Sequence, residues 1–365
     1  MSKIHVLMPS FAGGGAERVG VNLANSFVEE GYDVTVLVFK NSGPYKKALN
    51  KSVRLVSFGT DNKVVLFYGL LKYLRKHNVD AILSVMRDSN IILGACLYFA
   101  SVNNVCFREA NTLNTIWGFR WLKKSIYFGL MRLSYAKAHA IIANSEDTKK
   151  DLLVERIVSR DKIKVIGNPV LPSNYLSLAS RHIAHGWVTD PEVKVILNVG
   201  RLHTQKNHIF LLESFSYLVK ERGDVRLLII GEGAERHRIL EMAKQYNIDS
   251  LIDILDFQDN PYPYYKACKV FALTSSWEGF GNVLVEAMAC GANIVSTNCP
   301  GGPAMILENG RLGWLVECGD AKKYAESLLD ALVSEKLPEE QRIEAMCKYS
   351  VKFIRGQYLK TLFER

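Results

Sequence analysis

The chain predicts an α/β fold of two doubly wound domains, each a parallel sheet with helices on both faces. Three observations predict it. Short β-rich apolar runs alternate with helical patterns from end to end, the runs fall into two series, and a stretch containing Gly and Pro separates the series. At 365 residues the chain exceeds one typical core and suits two. The first series comprises residues 4–8, 34–39, 53–58, 81–85, 105–107, 140–143 and 163–166; the second comprises 195–199, 226–230, 252–255, 270–273, 293–296 and 314–316. Helical patterns of about ten to twenty residues between the runs make βαβ units. The connection starts at Gly167, Asn168 and Pro169 and continues through a weakly patterned segment to Glu192.

Composition narrows the function. With 48% hydrophobic and 23% charged residues, the chain reads as globular. No apolar run reaches the ~20 residues that span a bilayer, and the N-terminus enters a strand directly without a signal-peptide pattern, so a cytoplasmic location is expected. The seven cysteines are scattered with no C-x2-C pair, which predicts reduced thiols and no zinc site. The net charge of +9 is uneven: residues 1–167 hold 24 Lys and Arg against 13 Asp and Glu, the remainder 22 against 24. An anionic partner is therefore expected on the N-terminal half, with nucleic acid, an anionic membrane and a phosphorylated acceptor as candidates. Nucleic acid is disfavoured because no known binding motif accompanies the charge.

Gly-rich turns at strand ends carry the chemistry. Gly13, Gly14 and Gly15 follow the first run and precede an amphipathic segment, a place where a ligand approaches backbone beside a helix N-terminus. A dinucleotide site is not supported, because Arg18 stands where the third glycine of G-x-G-x-x-G belongs and the second run ends at Phe39 and Lys40 rather than at an acid. Arg201 and Lys206, five apart across the turn after residues 195–199, allow a planar fork and a compact charge to reach one diphosphate. Gly231 lies in a turn after the next strand, and Phe257 and Gln258 follow the one after that.

The most telling stretch is Ser276-Trp277-Glu278-Gly279-Phe280-Gly281-Asn282-Val283-Leu284-Val285-Glu286. Glu278 stands in a Gly-rich turn after residues 270–273, and Glu286 falls about two turns into the helix that residues 283–289 predict. A helix N-terminus attracts phosphate, and carboxylates near it accept hydrogen bonds from hydroxyls. A sugar joined to a nucleotide by a diphosphate fits this pattern. The bland reading is a capping residue and a helix-surface charge.

This stretch resembles the E-x7-E motif of retaining glycosyltransferases of family 4. Gly13 to Arg18 resembles that family's G-G-A-E-R segment, and the residues around Arg201 and Lys206 resemble its G-R-L-x-x-x-K-N motif; the likeness covers nearly the whole chain. It implies the GT-B fold, with two Rossmann-like domains facing each other across a cleft. The implied divisions are an acceptor-binding domain over 1–175, a nucleotide-sugar domain over 190–347, and a helix over 348–365 that crosses back to the first domain. Carried over, Arg201 and Lys206 neutralise the donor diphosphate and Glu278 meets the transferred sugar, these three being the catalytic candidates. Donor binding further involves Gly14, Gly15, Gly231, Phe257, Gln258, Gly279, Phe280, Gly281, Asn282, Val283 and Leu284, with Glu286 on the ribose. The loop from Asn298 to Pro303 would flank the site.

The chain departs from the family where many relatives carry a histidine near the fifth strand. Ala110 occupies that place, leaving Glu109 or Asn111 to orient the acceptor, although Glu109 reads equally as a structural acid paired with an Arg. No two aspartates lie two apart, so the metal clamp of the other main glycosyltransferase fold is missing, and neither metal nor cofactor is expected.

On a helical wheel over 117–135, Trp117, Arg120, Trp121, Lys124, Phe128, Arg132 and Tyr135 share one face, while Leu122, Ile126, Leu130 and Leu133 share the other. The expectation is that the aliphatic face packs inward and the cationic-aromatic face meets an anionic membrane, with a plain solvated face as the duller account. The family reading is therefore a retaining enzyme moving a hexose or N-acetylhexosamine from a nucleotide diphosphate sugar, UDP favoured over GDP, to a saccharide on polyprenyl diphosphate for surface polysaccharide, peripheral on the inner membrane face. Alternatives are a nucleotide-sugar epimerase of the same fold and a non-catalytic nucleotide-sugar-binding protein.

Overall fold

The computed structural model describes residues 2–113 and 121–363 and divides into two compact units, Met1–Val170 with Tyr349–Arg365, and Leu171–Lys348. Trp117 and Arg120 of the expected membrane face lie outside the described residues.

The first unit holds a seven-stranded parallel sheet of β1 (Lys3–Met8), β2 (Asp33–Val38), β3 (Arg54–Ser57), β4 (Ala81–Ser84), β5 (Asn104–Glu109), β6 (Ala140–Ala143) and β7 (Ile163–Val165), in the order β3-β2-β1-β4-β5-β6-β7. Its longer helices are α1 (Gly15–Glu29), α2 (Lys63–Lys76), α3 (Arg87–Cys96), α4 (Trp121–Tyr135) and α5 (Glu146–Val154). The central strands are buried on both faces, which is why they read as unbroken apolar runs rather than alternating ones. One core gathers Phe107, Phe128, Met131 and Tyr135; the other gathers Phe11, Phe27 and Ile142 with Ile354 and Tyr358 of the C-terminal helix Val351–Phe363. That helix is tied down by a stacked ring pair, Tyr32 with Phe363 at 5.7 Å, and by an ion pair from Arg355 to Glu30. The backbone of Val170 also donates to the Tyr349 carbonyl at 2.9 Å.

The second unit holds a six-stranded parallel sheet of β8 (Lys194–Val199), β9 (Val225–Ile230), β10 (Ile252–Leu255), β11 (Val270–Leu273), β12 (Asn293–Thr297) and β13 (Trp314–Val316), ordered β10-β9-β8-β11-β12-β13. Its longer helices are α6 (His208–Glu221), α7 (Arg236–Gln245), α8 (Asn282–Ala289), α9 (Ala321–Val333) and α10 (Glu339–Cys347). Asp320 caps α9 by accepting from the Lys323 amide at 3.0 Å. Each of the thirteen runs expected from the sequence is a strand, with ends within two residues. All seven cysteines are free thiols.

One expectation is reversed. In α4, Phe128, Met131 and Tyr135 are buried, whereas Leu122, Ile126, Leu130 and Leu133 are exposed. Of the face expected outward, Phe128 and Tyr135 turn inward while Trp121 and Arg132 stay exposed, and the aliphatic face expected inward is on the surface. The reason lies in the pocket below: the Tyr135 hydroxyl donates to Glu109, and the Phe107 ring meets Tyr135 edge-on at 5.4 Å, so the aromatic face has the specific inward partners.

Candidate active site

In an open α/β sheet, ligands bind beyond the carboxyl ends of the strands where the strand order reverses. In the second unit that point lies between β8 and β11, the two strands whose ends carry Arg201–Lys206 and Thr274–Glu278. The sequence candidates thus meet at the position the topology selects. The Lys206 ammonium contacts Glu278 Oε1 at 2.5 Å, with both side chains largely buried. Ser275 donates its hydroxyl to the same oxygen at 2.6 Å.

The two loops are laced together by backbone and amide bonds. Gln205 Nε2 donates to the Trp277 carbonyl at 2.8 Å, the Ser276 amide donates to the Gln205 carbonyl at 2.9 Å, and the Thr274 hydroxyl donates to the Lys206 carbonyl at 3.0 Å. The backbone bonds fix where the Lys206 side chain starts and the Glu278 contact holds its ammonium, so the cation is preorganised for a charged leaving group. Arg201 is exposed at the end of β8, so its fork faces solvent.

Helix α8 begins directly beyond Glu278. Its N-cap is Gly281 at φ 95°, and no side chain caps the first turn. Such a terminus concentrates backbone N–H groups and partial positive charge. Glu286 is the fifth residue of α8, little more than one turn in, so the expected two turns was an overcount of the run from residue 283. It is buried, and the Tyr265 hydroxyl donates to its Oε2 at 2.9 Å.

Close backbone packing surrounds this end of the sheet. The Glu278 amide donates to the Pro300 carbonyl at 2.9 Å, so the 298–303 loop does flank it. A Cβ on Gly301 would collide with the Glu278 carbonyl, and one on Gly302 with the Phe280 carbonyl. Gly231 approaches the Gly200 carbonyl in the same way. Glu232 accepts from the Phe257 amide at 3.2 Å, which joins the turn after β9 to the segment holding Phe257 and Gln258; Phe257 is exposed. Gly279, Val283 and Leu284 lie within the same loop and helix start.

Beneath the Lys206 loop, His208 is buried, and its Nε2 meets Asn198 Oδ1 at 3.2 Å. Burial, aided by the Lys206 charge, pushes its pKa down to about 4. A base with a lowered folded-state value is neutral in both states above its ordinary 6.5 and costs nothing there. As pH falls from 6.5 towards 4 the unfolded chain takes the proton first, and stability drops by about 1.4 kcal/mol per unit, up to about 3 kcal/mol. Urea midpoints followed across that window should fall, and a His208→Gln variant should show a shallower fall.

In the first unit the order reverses between β1 and β4, and the loop after β1 leads into α1. Gly14 is the α1 N-cap, with no side-chain cap, and Gly15 is exposed. Glu109 proves to be the structural acid: it is fully buried, paired with Arg87 at 2.7 Å and bonded by the Tyr135 hydroxyl. Asn111 is exposed, and its carbonyl accepts from Arg87 at 3.0 Å. Of the two acceptor candidates, only Asn111 presents a side chain to solvent.

Sequence reasoning missed Ser275, Gln205 and Tyr265. The one available signal was a polar run, Thr274 to Ser276, at the end of a wholly apolar strand.

Comparison with known families decides what this arrangement belongs to. The family model described as "Glycosyl transferases group 1" matches residues 183–346, and that described as "Glycosyltransferase Family 4" matches residues 13–173. This chain belongs to the family 4 glycosyltransferases. The glycosyltransferase is 28% identical over 345 residues, 92% of each chain, to a Campylobacter jejuni protein named N-acetylgalactosamine-N,N'-diacetylbacillosaminyl-diphospho-undecaprenol 4-alpha-N-acetylgalactosaminyltransferase. It is 24% identical over 92% of each chain to the amylovoran biosynthesis glycosyltransferase of Erwinia amylovora. Its fold matches the Anabaena protein HepE, solved in complex with UDP and glucose, with a TM-score of 0.82, 18% identity and 99% of both chains covered. The fold is GT-B.

Proposed function

We propose that this glycosyltransferase moves a hexose or N-acetylhexosamine from a UDP-sugar to a saccharide carried on polyprenyl diphosphate, with retention at the anomeric carbon and without a metal ion, in surface polysaccharide synthesis. The observation that carries the proposal is the Lys206–Glu278 pair at the β8/β11 reversal, directly before the uncapped start of α8. The name of the Campylobacter relative supports the acceptor class, that of the Erwinia relative supports a biosynthetic role, and the UDP in the HepE structure supports the donor.

In this reading Lys206, Arg201 and the α8 N-terminus neutralise the diphosphate as it leaves, and Glu278 orients the sugar hydroxyls. Glu286, fixed by Tyr265, takes the ribose hydroxyls, while Phe257 and Gln258 border the base. The acceptor oxygen bonds to the anomeric carbon on the face from which the phosphate oxygen departs. The acceptor proton passes to that departing oxygen. Stabilising the leaving group is then the main catalytic task. The enzyme works at the cytoplasmic face of a membrane, where its lipid-linked acceptor lies.

A thermal-shift screen of nucleotide sugars tests the donor assignment. A UDP-sugar at about a hundred times its Kd should stabilise the protein by about 2.7 kcal/mol, with EDTA leaving the shift and turnover unchanged. No shift with any UDP-sugar would refute the donor reading, and epimerised sugar formed without acceptor would refute the transferase one.

A further inference from the structure

The phenol of Tyr265 is placed to aim a buried carboxylate, and we infer that Tyr265 is the positioning residue that makes the enzyme take a ribonucleotide sugar and reject its 2'-deoxy counterpart. This deepens the donor assignment proposed above and rests on it. Glu286 is the fifth residue of α8 and 1% exposed, and the Tyr265 hydroxyl donates to its Oε2 at 2.9 Å. A carboxylate taken out of water needs donors, because in its ionised form it can only accept. With Oε2 committed to that hydroxyl, the carboxylate is held against turning about its last bond, and its plane is set before a nucleotide arrives. The phenol is itself locked. Tyr265 is fully buried, with its ring edge-on to Phe271 of β11 at 5.6 Å and to Tyr262 at 6.1 Å. It is thus fastened to the strand whose end carries Glu278.

The same tyrosine ties the carboxylate to the segment that borders the base. Tyr265 lies on the short helix Tyr262–Ala267, which follows closely on Phe257 and Gln258. Asn260 fixes that junction: its Oδ1 accepts from the Tyr262 amide at 3.3 Å, and its Nδ2 donates to the Leu178 carbonyl at 3.0 Å. Base and ribose contacts therefore share one rigid support. The selectivity follows from the chemistry of the carboxylate. A ribose offers it two neighbouring hydroxyl protons, whereas a 2'-deoxyribose takes one donor away from a buried charge, which is the costly outcome. Without the phenol the carboxylate would turn to whichever hydroxyl remains, and it would tell the two sugars apart less well. A tyrosine that served only to satisfy a buried charge would stabilise the fold and leave that selectivity untouched.

The test is titration calorimetry of the full chain with UDP and with 2'-deoxy-UDP, on the parent and on Tyr265→Phe. Phenylalanine keeps the ring and its packing, and circular dichroism checks that the variant is folded. In the parent, 2'-deoxy-UDP should bind about 10–100-fold more weakly than UDP, the range for one hydrogen bond to a charged group. In Tyr265→Phe that ratio should fall by about tenfold, with UDP weakened and 2'-deoxy-UDP nearly unchanged. A ratio equal to the parent's, or larger, would overturn the positioning role and leave the donor reading standing. A parent that binds both nucleotides equally would overturn the ribose contact of Glu286, and this inference with it, while UDP remained the donor nucleotide. A parent that binds neither would overturn the donor reading itself.

Discussion

Replacing Lys206 by Ala should lower kcat by about 10²–10³-fold, the loss seen when one preorganised donor to a developing negative charge is removed. It should also cost stability, of order 2 kcal/mol, because it leaves the largely buried Glu278 carboxylate with a hydroxyl from Ser275 and without its cation. Arg201→Ala should lose turnover by a similar factor with no measurable loss of stability, since its side chain stands in solvent at the end of β8. Steady-state kinetics and urea denaturation on the two variants separate the roles. A Lys206→Ala/Glu278→Ala double variant should regain stability and remain inactive. Were Lys206 only a structural partner of Glu278, the double variant would turn over no more slowly than Glu278→Ala alone.

The second large effect is expected at Gly302, which never touches the donor in this account. A Cβ there would meet the Phe280 carbonyl, and the neighbouring Gly301, at φ 127°, stands equally close to the Glu278 carbonyl. Backbone cannot yield as a flexible side chain does. Gly302→Ala should therefore cost about 3 kcal/mol and push the Phe280 turn outward. A displacement of about 1 Å at the head of α8 should reduce kcat about a hundredfold in whatever fraction remains folded. Calorimetry gives the first number, and kinetics corrected for active-site concentration give the second. An enzyme of parental stability and turnover would show that the 298–303 loop does not set the position of Glu278.

The fold was legible in the sequence because parallel strands covered on both faces need unbroken apolar runs, and such runs cannot be mistaken for the mixed pattern of the helices between them. The Lys206–Glu278 pair was legible in part. Spacing placed each residue at a strand end, but only the strand order put β8 beside β11 and so made neighbours of residues seventy-two positions apart. Ser275 and Gln205 were invisible for the same reason, since a hydroxyl or an amide in a loop declares no partner. Two features share a cause. The sequence leaves Glu109 open between an acceptor ligand and a structural acid, and it turns Phe128 and Tyr135 of α4 outward where the structure buries them. Both turn on Tyr135, whose hydroxyl reaches inward to Glu109 while Arg87 approaches from α3. A buried polar cluster drew the aromatic face of α4 down and left its leucines outside, and a hydrophobicity pattern taken along one helix cannot register that.

The central claim is that Lys206, Arg201 and the start of α8 hold the donor diphosphate. A structure of the enzyme with UDP bound tests it most directly. The account predicts the β-phosphate within hydrogen-bonding distance, about 3 Å, of Lys206 Nζ and facing the first amides of α8, with the Arg201 guanidinium turned onto the same group. Diphosphate bound elsewhere, with the Lys206–Glu278 contact intact and Arg201 still in solvent, would contradict it.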